Sequence, residues 1–186
     1  MLSLPKPRCR ILNLLLVLIC FICAGSLQAA PLPTEDKAEE APRITEVLAA
    51  SGFKSFASIL VASGILDELG ENNFTCFAPT DEAIAAMPAA ELKGMQDDPK
   101  GKNTLRWIKY HFIKSEVCRK SDLGIVREII TWAALPSYLS ITPTKMWLND
   151  GSNIMKFDLP VKNGVIHSIS KALDPRDYER KGDETK

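Results

Sequence analysis

Residues Asn163 to Ser170 read NGVIHSIS. Val165, His167 and Ile169 alternate with Ile166 and Ser168, which predicts a β-strand with the histidine on an apolar face. His167 is one of only two histidines in the chain. A histidine among apolar neighbours is a catalytic base, a metal ligand or a packed core group. The rest of the sequence decides between these.

The opening residues set a compartment. Lys6, Arg8 and Arg10 precede the apolar run Ile11 to Ala24, and small residues follow at Gly25-Ser26 and Ala29-Ala30. That order is the pattern of a secretory signal peptide over residues 1–30. The run is shorter than the ~20 apolar residues of a membrane-spanning helix, so no stable membrane span is expected. Removal of this segment takes away three of 23 basic residues and none of 23 acidic ones, for a net charge near −3. No basic stripe remains, which argues against a nucleic-acid partner. It also removes three of the five cysteines and leaves Cys76 and Cys118. In an oxidising compartment these two either pair or stay as separate buried thiols, and the spacing leaves both open.

Residues 31–42 are acidic and proline-rich with few large apolar side chains, the composition of a flexible linker. Residues 176–186 form a charged tail of the same kind. The folded segment is expected from 43 to 175. Within it, helical spacing runs from Ile44 to Leu69, and a strand covers "NFTCFAP" up to Pro79. Thr80 stands as the N-cap of a helix that Asp81 and Glu82 open. Leu105, Ile108 and Phe112 predict one face of a longer helix, with Tyr110 and His111 near its end. After Leu123 come short β-rich runs, and Asn149-Asp150-Gly151 marks a hairpin between two of them. Helices first and strands later describe an α+β domain.

Three stretches together now resemble one family. "FTCFAPTDEAIAAMP" (Phe74 to Pro88), "YH" (Tyr110-His111) and "NGVIHSISKALDP" (Asn163 to Pro175) are similar, in order and spacing, to the signatures of the fasciclin domain. Gly164, His167, Pro79 and Thr80 are the signature positions that mark it. The resemblance implies a β-sheet wedge with several helices packed around it. It also implies a secreted or periplasmic module of cell adhesion or extracellular-matrix contact, without enzymatic activity or cofactor. Its partner would be a cell-surface or matrix protein or glycan. In animal members an Asp-Ile pair before the closing signature, and the Tyr-His motif, are implicated in integrin binding. Here Asp158-Leu159 stands at that place, with Pro160 after it. The resemblance therefore gives Asp158, Leu159, Tyr110 and His111 as candidate partner-binding residues, integrin-like only in an animal setting. Two positions depart from the family pattern. Ile84 stands where an aromatic residue is common, and Ser170 where Asp is common.

The residues give little support to other chemistry. No nucleophile motif, zinc motif or phosphate loop occurs, so no catalytic or metal-binding residue is assigned. Both histidines read as core groups held by hydrogen bonds. An alternative is a secreted binder of an apolar small molecule such as a carotenoid, lined by Trp107, Trp132, Trp147, Met146 and Met155. Asn73-Phe74-Thr75 fits a glycosylation acceptor, meaningful only in a eukaryote.

Overall fold

The computed structural model describes residues 41–149, 151–176 and 178. The expected signal peptide, nearly all of the linker and most of the charged tail lie outside them. The fold is α+β. Helices α1 (Ile44–Ala50), α2 (Lys54–Ser63) and α3 (Ile65–Leu69) lead into strand β1 (Phe74–Pro79). Helices α4 (Asp81–Ala85), α5 (Ala89–Asp97) and α6 (Lys102–Tyr110) follow, then β2 (Phe112–Lys114) and α7 (Lys120–Leu123). Strands β3 (Glu128–Ile130), β4 (Pro136–Ile141), β5 (Met146–Leu148), β6 (Ser152–Val161) and β7 (Gly164–Ile169) complete it.

The seven strands form one mixed sheet in the order β2-β1-β7-β6-β5-β4-β3. Only β1 and β7 run parallel; the other neighbours are antiparallel. The sheet curls nearly into a barrel. One bond draws its edges together: Trp132, just past β3, donates its amide to the carbonyl of Phe112 on β2 at 2.6 Å.

Pleat alternation builds two cores. Phe74, Cys76 and Ala78 of β1, Phe112 of β2 and Ile166 of β7 face α1–α4 and α6. Phe77, Ile113 and Ile169 face the other way, onto Tyr110, Leu123, Ile129, Leu139, Leu148 and Ile154. Both faces of β1 are therefore buried. Cys76 belongs to the first core and Cys118 to the second, and neither is bonded. Separate thiols are the outcome of the open question. Burial pushes both above the ordinary thiol value, which keeps them protonated and poorly nucleophilic.

Local chemistry places the boundaries. β1 stops at Pro79, and the Thr80 hydroxyl accepts the amide of Ala83 at 3.2 Å, so Thr80 caps α4. Asp81 does the same for a different helix. Its carboxylate accepts the amides of Ser55 (2.8 Å) and Lys54 (3.3 Å) at the start of α2, where Phe53 offers no cap. The hairpin joining β5 and β6 has Asn149 and Gly151 at φ 46° and 103°, the left-handed region that these residues tolerate; Asp150 lies outside the described residues. Gly164 opens β7 because nothing larger fits. A Cβ there would lie 2.5 Å from the Phe74 carbonyl oxygen and 2.9 Å from its ring. Gly164→Ala must push β1 and β7 apart, and is expected to cost about 2 kcal/mol in chemical denaturation.

Three expectations change. Phe112 is not on the helix face with Leu105 and Ile108: α6 ends at Tyr110, and Phe112 starts β2 opposite Cys76. Pairing with β1 and burial in the first core override the helical spacing. Helices α5 and α7 add to the elements that the apolar spacing predicts. The tail begins less freely than its composition implies, because Arg176 donates Nη2 to Glu91 (2.6 Å) and Nη2 and Nε to Asp174.

Candidate functional site

The expected partner-binding residues fall into two unlike groups. Tyr110 and His111 are both wholly buried. They sit where α6 turns into β2, so consecutive side chains enter different surroundings. Tyr110 points into the second core, where its hydroxyl donates to the Pro136 carbonyl at 3.0 Å and accepts from Asn149 Nδ2 at 3.1 Å. His111 packs on Trp107 and Phe56, with ring centroids 4.4 and 5.6 Å away. An exposed patch at this end of the helix is therefore corrected: a partner touching the folded surface does not reach either side chain. Tyr110→Phe keeps the ring, loses both bonds, and is expected to lower stability by about 1–2 kcal/mol in a urea titration.

The histidines are fixed by complementary bonds. A carbonyl only accepts, so His111 Nδ1–H donates to Trp107 O at 2.9 Å, while Nε2 accepts the Leu173 amide at 3.0 Å. His167 uses the opposite tautomer. Its Nε2–H donates to Cys118 O at 2.8 Å, and Nδ1 accepts the Asp158 amide at 3.2 Å. Phe77 and Phe157 flank its ring at 5.5 and 5.8 Å. Each ring thus has one nitrogen facing an N–H donor, where an added proton would meet another proton. Burial lowers the His111 pKa from 6.5 to about 4 against the opposing effect of the Trp107 bond. It lowers His167 too, although the Cys118 carbonyl and the Asp158 charge work against it. Neither ring has a nitrogen left for a substrate or metal.

Asp158 and Leu159 lie on a disturbance of β6. Lys156 pairs with Ser168 and Leu159 with Ile166, so β6 spends one more residue than β7 between those pairs. That is a β-bulge. Asp158 takes φ 57°, and its amide leaves the ladder for His167. Its carboxylate accepts the Lys120 amide at 3.0 Å at the start of α7, while Lys120 Nζ lies 4.8 Å from the Phe157 ring centroid. Asp158 is half-buried. Leu159 is too and rests against the first core, and Pro160 beyond it is exposed. The structure thus joins Asp158 to His167, a link that spacing alone did not give. The two departures from the family pattern are accommodated. Ile84 is buried in the first core, and Ser170 Oγ accepts the Asn153 amide at 3.0 Å.

The aromatic surface of the alternative reading is not assembled. Trp107 is packed in the first core and Met146 in the second, on opposite faces of the sheet. Trp132 lies beneath Lys109 and Lys114 Nζ, at 4.9 and 4.7 Å. Asn73 is exposed, but Thr75 of the same tripeptide is buried, bonded to Glu116 O and to the Cys118 amide.

The profile of the Fasciclin domain matches residues 51–175. The chain belongs to the fasciclin domain family. This fasciclin domain is 30% identical to human periostin over 125 residues, 66% of this chain and 14% of periostin. It is 28% identical to transforming growth factor-beta-induced protein ig-h3 of Sus scrofa, over 66% of this chain and 18% of that protein. The chain thus spans under a fifth of either relative. Protein sll1483 of Synechocystis sp. is 24% identical over 71% of this chain and 74% of its own length. Among solved structures, a FAS1 domain pair from the insect cell adhesion molecule fasciclin I superposes with a TM-score of 0.57 at 17% identity. It covers 75% of this chain and 53% of its own, and shows the shared fold. Among the described residues no helix is long and apolar enough to cross a membrane.

Proposed function

We propose that this fasciclin domain is a non-enzymatic adhesion or matrix-contact module, secreted or, in a Gram-negative bacterium, periplasmic. Contact is made by the surface around Asp158, Leu159 and Pro160. The observation that carries this reading is the bulge on β6. It holds a half-buried acidic and a half-buried apolar side chain beside the exposed Pro160, anchored by His167 and α7. A rigid anchor of this kind loses little entropy on binding. The relationship to periostin and ig-h3, and to a cell adhesion molecule in fold, agrees with it. The partner is a cell-surface or matrix protein or glycan, integrin-like in an animal setting.

Asp158→Asn tests it cleanly. Asn tolerates positive φ and still accepts the Lys120 amide, so only the charge is lost. With the chain immobilised and cells seeded on it, the variant is expected to attach about tenfold more weakly, the equivalent of about 1.4 kcal/mol. Equal attachment at equal thermal stability removes this surface from the contact.

A further inference from the structure

A cleft of about 530 Å³ opens between α5, the start of α6 and the segment Asp174 to Arg176, in the size range of small-molecule sites. Its lining is unlike the partner surface on β6. Met95, Trp107 and Pro175 are its apolar lining residues, of which Met95 is the most exposed. Glu91, Asp98 and Asp174 line it together with Lys102, Arg106 and Arg176, so carboxylates and cations balance in number. Several of these groups are held in place. Arg176 bridges Asp174 and Glu91, and so ties the C-terminal segment to α5. The Asp98 carboxylate occupies the space that a side chain at Gly101 would need, and the Asp98 carbonyl accepts the Thr104 hydroxyl at 2.9 Å.

We propose that this cleft is a binding site for a neutral, hydroxyl-rich ligand, the end of a carbohydrate chain. The argument is one of matching chemistry. A wholly apolar ligand would cut these charged groups off from water without replacing their hydrogen bonds. An anionic ligand gains no net attraction from a lining with as many carboxylates as cations. A peptide that pairs as an added strand would need a sheet edge, and no strand residue lines the cleft. A sugar hydroxyl both donates and accepts, so it adds to fixed carboxylate oxygens and guanidinium N–H groups alike. The apolar face of a sugar ring suits the half-buried Met95 side chain in the lining. The proposal does not depend on the Asp158 surface.

Gly94 allows a clean test. It lines the cleft on α5, and a Cβ there has nothing within 4 Å. Gly94→Leu fills the space while improving helix propensity, so its melting temperature is expected to hold or rise. The full chain is titrated with chitotriose, mannotriose, maltotriose and a heparin-derived oligosaccharide, with amide chemical shifts as readout. The expected result is a saturable shift at residues 91–107 and 174–176 with at least one neutral sugar, abolished in Gly94→Leu. The proposal is overturned if none of the neutral sugars shifts these residues, if only the heparin-derived chain does, or if Gly94→Leu binds as the parent does.

Discussion

Acidification from pH 7 to pH 4 is expected to lower the unfolding free energy by about 3 kcal/mol through His111 alone. The folded pKa of about 4 lies below the ordinary 6.5, so between these values the unfolded chain binds the extra proton and the folded chain resists it. Stability from this group is therefore fully present above pH 6.5 and is lost as pH falls towards 4. His167 is shifted in the same direction and adds to the slope. Asp81 acts in a separate window. Burial raises its pKa, but the amides of Ser55 and Lys54 outweigh this and hold it below 3.8, so its contribution is lost only at lower pH. Urea midpoints measured from pH 4 to 7 check the prediction. A midpoint that does not change across that range would contradict it.

Substitution of His167 should cost as much or more. His167→Ala removes the acceptor of the Asp158 amide and the donor to the Cys118 carbonyl, and leaves a void between Phe77 and Phe157. Two orphaned backbone groups and a cavity together predict a loss of about 3–4 kcal/mol. The same change frees the bulge, so the amide exchange of Asp158 should speed up more than that of residues in the first core. A loss under about 1 kcal/mol would mean that the ring is not the support described here.

Much of this arrangement is written locally in the chain. Pro79 stops β1 because it cannot extend the ladder, Thr80 caps the next helix, and Asn149 and Gly151 take the positive φ of a hairpin. These signals act within a few residues. What was not legible depends on distant partners. Phe112 keeps the spacing of a helix, yet β1 offers it a strand partner and a core. The face of α5 is only partly buried, so its apolar positions give a weak period. Helices early and strands late conceal the parallel pairing of β1 with β7, which joins the two halves of the chain.

The candidate site divides in the same way. The alternation in NGVIHSIS places His167 on an inner face, where it lies. His111, three and four residues past Ile108 and Trp107, reads as a core group and is one; the burial of Tyr110 in the second core depends on how α6 enters β2, and no pattern inside the helix announces that. The bulge at Asp158 is a matter of counting residues between two strands, which a single strand does not carry. The link from His167 to Asp158 is therefore a property of the assembled sheet. It connects a family signature to the proposed contact surface through one hydrogen bond.

The central claim is that both histidines belong to the frame of the domain and hold no proton for chemistry. Nitrogen-15 NMR of the histidine rings, followed from pH 7 to 5, tests it most directly. The account predicts two neutral rings of opposite tautomer, His111 protonated on Nδ1 and His167 on Nε2, with His111 unchanged throughout the range. Two rings that titrate together near 6.5, or that exchange between tautomers, would contradict it.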